Sequence, residues 1–295
     1  MGRQAASERQ LIINADDLGW TAGTNDAIFR LMTEGWITSA SAMMPCPSAT
    51  ETLERMRSAS LGRVGVHLTL TSGATRTERP VFRQHPLPGL TDEDGCFHRD
   101  AARAELDADP EEVRFELEAQ IAGVIAAGID PTHVDSHAGA VLGIAGGRDF
   151  LDIAFDLCEK YRLPFNLPRR VVEQPGFDAA TKRRWQTRID SARARGIALI
   201  DDLVSLPYCC GEAADYNQIK ARLMAMLKCI RPGITQWTVH PSLPTDDVRQ
   251  LTPCWRERAI EYDLLRDPDI RHLLDAEGIR LVSWQDIRDE QRRGR

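Results

Sequence analysis

The chain has 295 residues, 42% of them hydrophobic, and its 37 Lys and Arg against 44 Asp and Glu give a formal net charge of −7. That length fits two small domains or one barrel of roughly 250 residues with additions, and the composition is that of a soluble globular protein with a real core. The acidic balance excludes a broad phosphate-neutralising face, and so nucleic acid as the main partner, while no apolar stretch approaches the roughly 20 residues of a membrane span. The first ten residues are polar and lack the apolar core of an export signal, so they read as a disordered tail on a cytoplasmic protein. Seven cysteines without a Cys-x-x-Cys pair suit a reducing compartment better than a disulfide framework, and adjacent Cys209 and Cys210 read as small apolar residues, with a redox or metal element as the alternative.

Leu11-Ile12-Ile13 is a short apolar run of the kind expected of a buried parallel strand. Ile28, Leu31 and Met32 follow at helical spacing, with Gly35 as a stop, and a second strand fits 37–44. Ser48 to Glu51 has the pattern of a capping box opening a helix with Leu53 and Met56. In 64–71, Val64, Val66, Leu68 and Leu70 share one strand face, and Gly65, His67, Thr69 and Thr71 the other. Residues 72–108 have no clear period and read either as a cover over a site or as a solvated loop. Asp109-Pro110 opens a helix that Gly128 ends, and the fourth strand is 132–137.

Further units alternate: helix 148–160 and strand 163–167, helix 179–195 and strand 197–203, helix 214–230 and strand 234–239, then a helical stretch near 253–277 and a last strand at 279–283. About eight strands alternating with helices predict an α/β fold, most simply a single (β/α) barrel over 11–290, regular or distorted and TIM-like. An open doubly wound sheet is the competitor, but no glycine-rich phosphate loop stands where such a sheet would usually carry one.

In a barrel the chemistry sits at the C-terminal ends of the strands. Those positions hold Asp16-Asp17, His67, the run His133, Asp135, His137, Asp201-Asp202 and His240, which together take four of the seven histidines. Each has an ordinary structural explanation alone, such as a helix cap for an Asp pair. His133 and His137 would share a strand face about 13 Å apart, too far to chelate one ion, so His137 is the better ligand and His133 packs lower. One carboxylate and two imidazoles converging on a barrel mouth satisfy a divalent metal site with open positions, and admit Zn²⁺, Co²⁺, Ni²⁺, Mn²⁺ or Fe²⁺. Adjacent Asp16 and Asp17 allow one to bind metal while the other accepts a proton.

The run Leu11-Ile-Ile-Asn-Ala-Asp16-Asp17-Leu-Gly19 resembles the opening motif of the YdjC-like (ChbG/HpnK) carbohydrate deacetylases, a branch of the NodB-type polysaccharide deacetylase superfamily. Thr38-Ser39-Ala-Ser41, Val64-Gly-Val-His67-Leu-Thr-Leu-Thr71, Pro131-Thr-His-Val-Asp135-Ser136-His137 and Val239-His240-Pro241 resemble its later motifs in the same order, so the likeness runs from about residue 10 to 287.

The resemblance implies a distorted (β/α) barrel that hydrolyses an acetamido group on a sugar or oligosaccharide, with a metal-bound water as nucleophile. It implies one divalent ion, zinc first, with magnesium, cobalt, nickel and manganese as alternatives. Carried over, the ligands are Asp17, His67 and His137, the general base is Asp16, and His240, protonated, donates to the departing amine. Arg169 or Arg170 matches only weakly the arginine that holds the base in NodB-type enzymes. Leu18, Ala138, Gly139 and Ser242 depart from the family pattern and alter the surround of the pocket without removing a ligand. The alternatives are a hydrolase of a non-sugar amide or cyclic imide, a non-haem Fe(II) oxygenase, and a lapsed barrel that binds a carbohydrate or partner. A homodimer is compatible with the sequence.

Overall fold

The computed structural model describes residues 8–73, 75–209 and 215–294. Its strands are β1 (Arg9–Leu18), β2 (Ser39–Ala42), β3 (Val64–Leu68), β4 (Val134–Ser136), β5 (Asp202–Ser205), β6 (Gly233–Val239) and β7 (Ile279–Leu281). All pair in parallel, in the order β4-β3-β2-β1-β6-β5, with β7 also on β1. β7 pairs with Arg9 to Leu11 and β2 with Asn14 to Leu18, so β7 lies below β2 along the same edge of β1.

The ring closes on the far side through the segment after Leu163. Phe165 bridges to Val134 of β4, and its N–H donates to the Ala198 carbonyl, while Pro168 bridges to Ile200. The expected strand 163–167 is therefore present only as these bridges, because Pro164 and Pro168 each lack an N–H for a ladder. The fold is α/β, a distorted (β/α) barrel.

Period two sorts the side chains. Leu11, Ile13 and Ala15 of β1, Ala40 and Ala42 of β2, Val64, Val66 and Leu68 of β3, Val134 of β4 and Trp237 and Val239 of β6 join the large apolar cluster with the helices. The alternate residues line the interior. Its floor is apolar, built on Ile12, Ile200, Val282 and Trp284, with the His133 ring stacked on Trp284 at 4.7 Å. The next layer up is polar, with Asn14, Ser41, His67 and Asp135, all buried. As expected, His133 packs below the site.

Several local expectations meet small corrections. β1 begins at Arg9, inside the expected tail, whose residues 1–7 lie outside the described ones; a last helix, Trp284–Arg293, runs past 290. Asp109 caps the helix Pro110–Ala126 as its sequence suggests, accepting from the Glu111 and Glu112 amides. Ser48 makes no such bond, so the capping-box pattern there does not form the box. The 72–108 excursion is packed down: Leu87, Leu90 and Phe97 are buried, 101–107 is helical, and Glu116 and Glu112 accept from the Val81, Phe82 and Gly89 amides.

Among the described residues, Cys209 is joined to Cys254 in a disulfide, which corrects the reading of Cys209 as a free apolar residue; Cys210 lies outside them. No helix there is long and apolar enough to cross a membrane.

Candidate metal centre

In a regular strand, neighbouring residues face opposite ways, so Asp16 and Asp17 should not share a site. They do because β1 carries a bulge. Between the pairs Ala15–Ala40 and Leu18–Ala42, two residues of β1, Asp16 and Asp17, stand against one of β2, Ser41, and Asp17 takes a left-handed φ of 68°. Asp tolerates that region better than most residues, and the extra residue turns both carboxylates toward the mouth of the barrel.

Each carboxylate is held by one oxygen and free at the other. Asn14 Nδ2 donates to Asp16 Oδ1 at 2.7 Å, leaving Oδ2 at 3.8 Å from His67 Nε2 and 3.9 Å from His240 Nε2. Arg258 Nη2 donates to Asp17 Oδ2 at 2.6 Å, leaving Oδ1 at 3.6 Å from His67 Nε2 and 3.4 Å from His137 Nδ1. His67 is fixed from behind, since its Nδ1 lies 2.9 Å from Asp135 Oδ1 and Ser41 Oγ donates to Asp135 Oδ2 at 2.8 Å. His137 leaves the strand at a short turn whose next residue, Ala138, has a φ of 49°, and the turn brings the ring to 5.2 Å from that of His67.

Donor atoms of Asp17, His67 and His137 lie within 4.8 Å of one another, as do those of Asp16, His67 and Asp135. The second group is wholly buried and its Asp135 is engaged with the rear of His67. The first has an open side, because His137 is 26% exposed. One carboxylate, two imidazoles and a free face fit a divalent ion that must also meet a substrate.

The electrostatics point the same way. Burial opposes a charge on His67, yet Asp135, Asp16 and Asp17 raise its imidazole to about 10. A cation, proton or metal, is therefore strongly favoured at Nε2, where two carboxylate oxygens converge. Burial raises Asp17 too, but Arg258 and His137 override it and hold the carboxyl well below the usual range. Burial pushes Asp16 up to about 8 despite His67. Burial also takes His240 down to about 4, which favours its neutral imidazole at neutral pH.

The structure brings Asp16, Asp17, His67, His137 and His240 into one cluster. It does not bring in Asp201 and Asp202. These lie at the opposite end of the barrel, where Asp201 accepts from Ile234 at the start of β6 and pairs with Arg169, while Asp202 pairs with Arg170 and Arg231. Those partnerships also remove Arg169 and Arg170 as holders of a site carboxylate. The arginine that reaches the site is Arg258, from the helix Trp255–Leu265, and the same helix sends Glu261 to accept from the His240 N–H at 2.6 Å. Strand-end reasoning cannot find residues on a helix. Asp135 and Ser41 stood in quoted motifs, but their contact with His67 depends on the β2-β3-β4 register.

The family model of YdjC-like proteins matches residues 10–276. A carbohydrate deacetylase of Thermus thermophilus is 31% identical over 288 residues, covering 95% of this chain and 94% of its own. A carbohydrate deacetylase of Thermoanaerobacter pseudethanolicus is 26% identical, covering 94% and 98%. Among solved structures, one from Enterococcus faecalis, described as a cellobiose-phosphate cleavage protein, superposes with a TM-score of 0.77 at 25% identity, covering 95% of this chain and 99% of that one. A lactam utilization protein of Thermus thermophilus, at 15% identity and a TM-score of 0.51, shares the fold alone.

Proposed function

Since the chain belongs to the YdjC-like family, we propose that it is a metal-dependent hydrolase that removes the acetyl group from an N-acetylated sugar, with a water as nucleophile. The observation that carries this reading is the meeting of Asp17, His67 and His137 around one point, with Asp16 alongside. The names of the relatives supply the carbohydrate and the acetyl group.

Asp17 Oδ1, His67 Nε2 and His137 Nδ1 would hold the ion. When bound, a divalent ion polarises the acetamide carbonyl and makes a water more acidic. Asp16 Oδ2, the oxygen not held by Asn14, accepts the proton of the attacking water. Without an ion, burial pushes this carboxyl up to about 8, and beside a divalent cation the ionised form that accepts a proton is favoured. His240 Nε2 stands 3.9 Å from the same oxygen. As a neutral imidazole it takes from Asp16 the proton drawn from the water and hands it to the nitrogen, so that an amine leaves instead of an amide anion and Asp16 is again ionised. Glu261 holds the His240 backbone in place for that transfer.

The test has two arms. Gently purified protein should contain about one divalent ion per chain by elemental analysis, and should release acetate from at least one member of a panel of N-acetylated mono- and oligosaccharides. A wild-type chain that neither contains nor takes up an ion sinks the metal centre. A chain that takes up an ion but releases acetate only from non-sugar amides sinks the carbohydrate assignment alone.

A further inference from the structure

Arg258 is 4% exposed, and its guanidinium is held on three sides. Nη2 donates to Asp17 Oδ2, Nη2 and Nε both donate to Tyr208 Oη at 2.6 and 2.9 Å, and the group lies 4.4 Å from the centre of the Trp20 ring. A long side chain has many rotamers to lose, and two bonds from one fork to one hydroxyl fix its plane. With the fork fixed, Asp17 must present Oδ2 to it, and Oδ1 is left to face the two histidines.

Tyr208 itself stands half-exposed, just after β5 and beside the His240 ring at 5.0 Å. Its position is secured by the next residue. Cys209 is bonded to Cys254, which immediately precedes the helix carrying Arg258, and their Cα atoms are 4.8 Å apart. The disulfide thus joins the Tyr208 segment to the helix whose arginine Tyr208 holds.

We propose that Tyr208 is a positioning residue for the metal centre, acting through Arg258 on the orientation of Asp17, and that the Cys209–Cys254 disulfide makes this positioning sensitive to redox state. The proposal rests on the metal-centre reading above. Reduction by a dithiol breaks the S–S bond and delivers two electrons and two protons to give two thiols, while the dithiol closes to its own disulfide. The Tyr208 segment is then no longer tethered to the helix.

The experiment measures Mn²⁺ affinity, because thiolates compete weakly for that ion. It compares wild type, Tyr208→Phe, Cys209→Ser, and wild type reduced with a water-soluble phosphine that is removed before titration. The phosphine takes oxygen from water as it is oxidised, and the protons of that water go to the two sulfurs. Thiol titration should find two more thiols after reduction, and thermal unfolding checks that each variant is folded. Tyr208→Phe keeps the ring and loses only the hydroxyl. It should weaken Mn²⁺ binding about 10-fold and lower kcat with little change in KM. Reduced wild type should shift in the same direction, and Cys209→Ser should be equally weak and indifferent to reduction.

Folded Tyr208→Phe that binds Mn²⁺ as tightly as wild type overturns the positioning role. An unchanged affinity after reduction, or no gain in thiols, overturns the redox dependence. Wild type that takes up no ion overturns both this proposal and the reading beneath it; normal wild-type uptake with unaltered variants overturns this proposal alone.

Discussion

Asp135 stands behind His67, with Oδ1 2.9 Å from Nδ1, so the imidazole can turn only its Nε2 toward Asp17. The carboxylate can only accept, which places the Nδ1 hydrogen and frees Nε2 as a donor of electrons. Asp135→Asn offers an amide N–H to Nδ1 and favours the opposite tautomer, with the proton on the ligand nitrogen. Metal affinity should fall about 10- to 100-fold, read by competition with a chromophoric chelator. Unchanged affinity would mean that the Asp135 contact is incidental to the centre.

The two carboxylates of the bulge have separable roles. Asp17→Ala removes an oxygen facing both histidines and leaves Arg258 buried without its carboxylate, so metal should be lost together with activity. Asp16→Asn keeps an oxygen for Asn14 but removes the proton acceptor. It should retain the ion and lose a factor of about 10² to 10⁴ in kcat. Elemental analysis beside acetate release separates the two, and near-normal turnover of Asp16→Asn would overturn its role as base.

Much of this centre was legible because a barrel concentrates chemistry at strand ends, where His67, His137 and His240 could be picked out by position. What could not be read depends on distance in space. Alternation along β1 would have sent Asp16 and Asp17 to opposite faces, and only the bulge at Asp17 puts them together. Asp201 and Asp202 misled because the expected strand 197–203 is displaced: β5 starts at Asp202, so the pair marks the beginning of a strand and not its end. Arg258 comes from a helix and Cys254 from the residue just before it, 241 residues from Asp17 and 45 from Cys209 respectively, and no local pattern records such separations.

Gly65 explains why the strand face that carries His67 begins with a residue lacking a side chain. A Cβ there would stand 2.3 Å from Cε1 and Nδ1 of His133, and that ring is stacked on Trp284 with nowhere to retreat. Gly65→Ala should cost about 1–3 kcal/mol and lower the melting temperature by several degrees. A melting temperature equal to that of wild type would show that the floor of the barrel is looser than its packing implies.

Glu116 links the excursion to the end of β3. It accepts from the Val81 and Phe82 amides and from Gln120 Nε2, while Gln120 bonds both the N–H and the carbonyl of Thr69, two residues after His67. Burial pushes the carboxyl up from 4.5 to about 7, although the Phe82 and Val81 amides and Gln120 oppose the shift. Between those two values the folded chain holds a proton that the unfolded chain has released, so stability falls as pH rises from about 4.5 to 7 and then levels. Glu116→Gln cannot titrate and removes this contribution. Whatever constant offset the amide introduces, the stability of the variant relative to wild type should increase between pH 4.5 and 7, by about 3 kcal/mol at most, and stay flat above. Denaturant unfolding of both proteins across that range measures it. A difference independent of pH would mean that the three donors keep Glu116 ionised in the fold, and that its hold on the excursion is that of a charge.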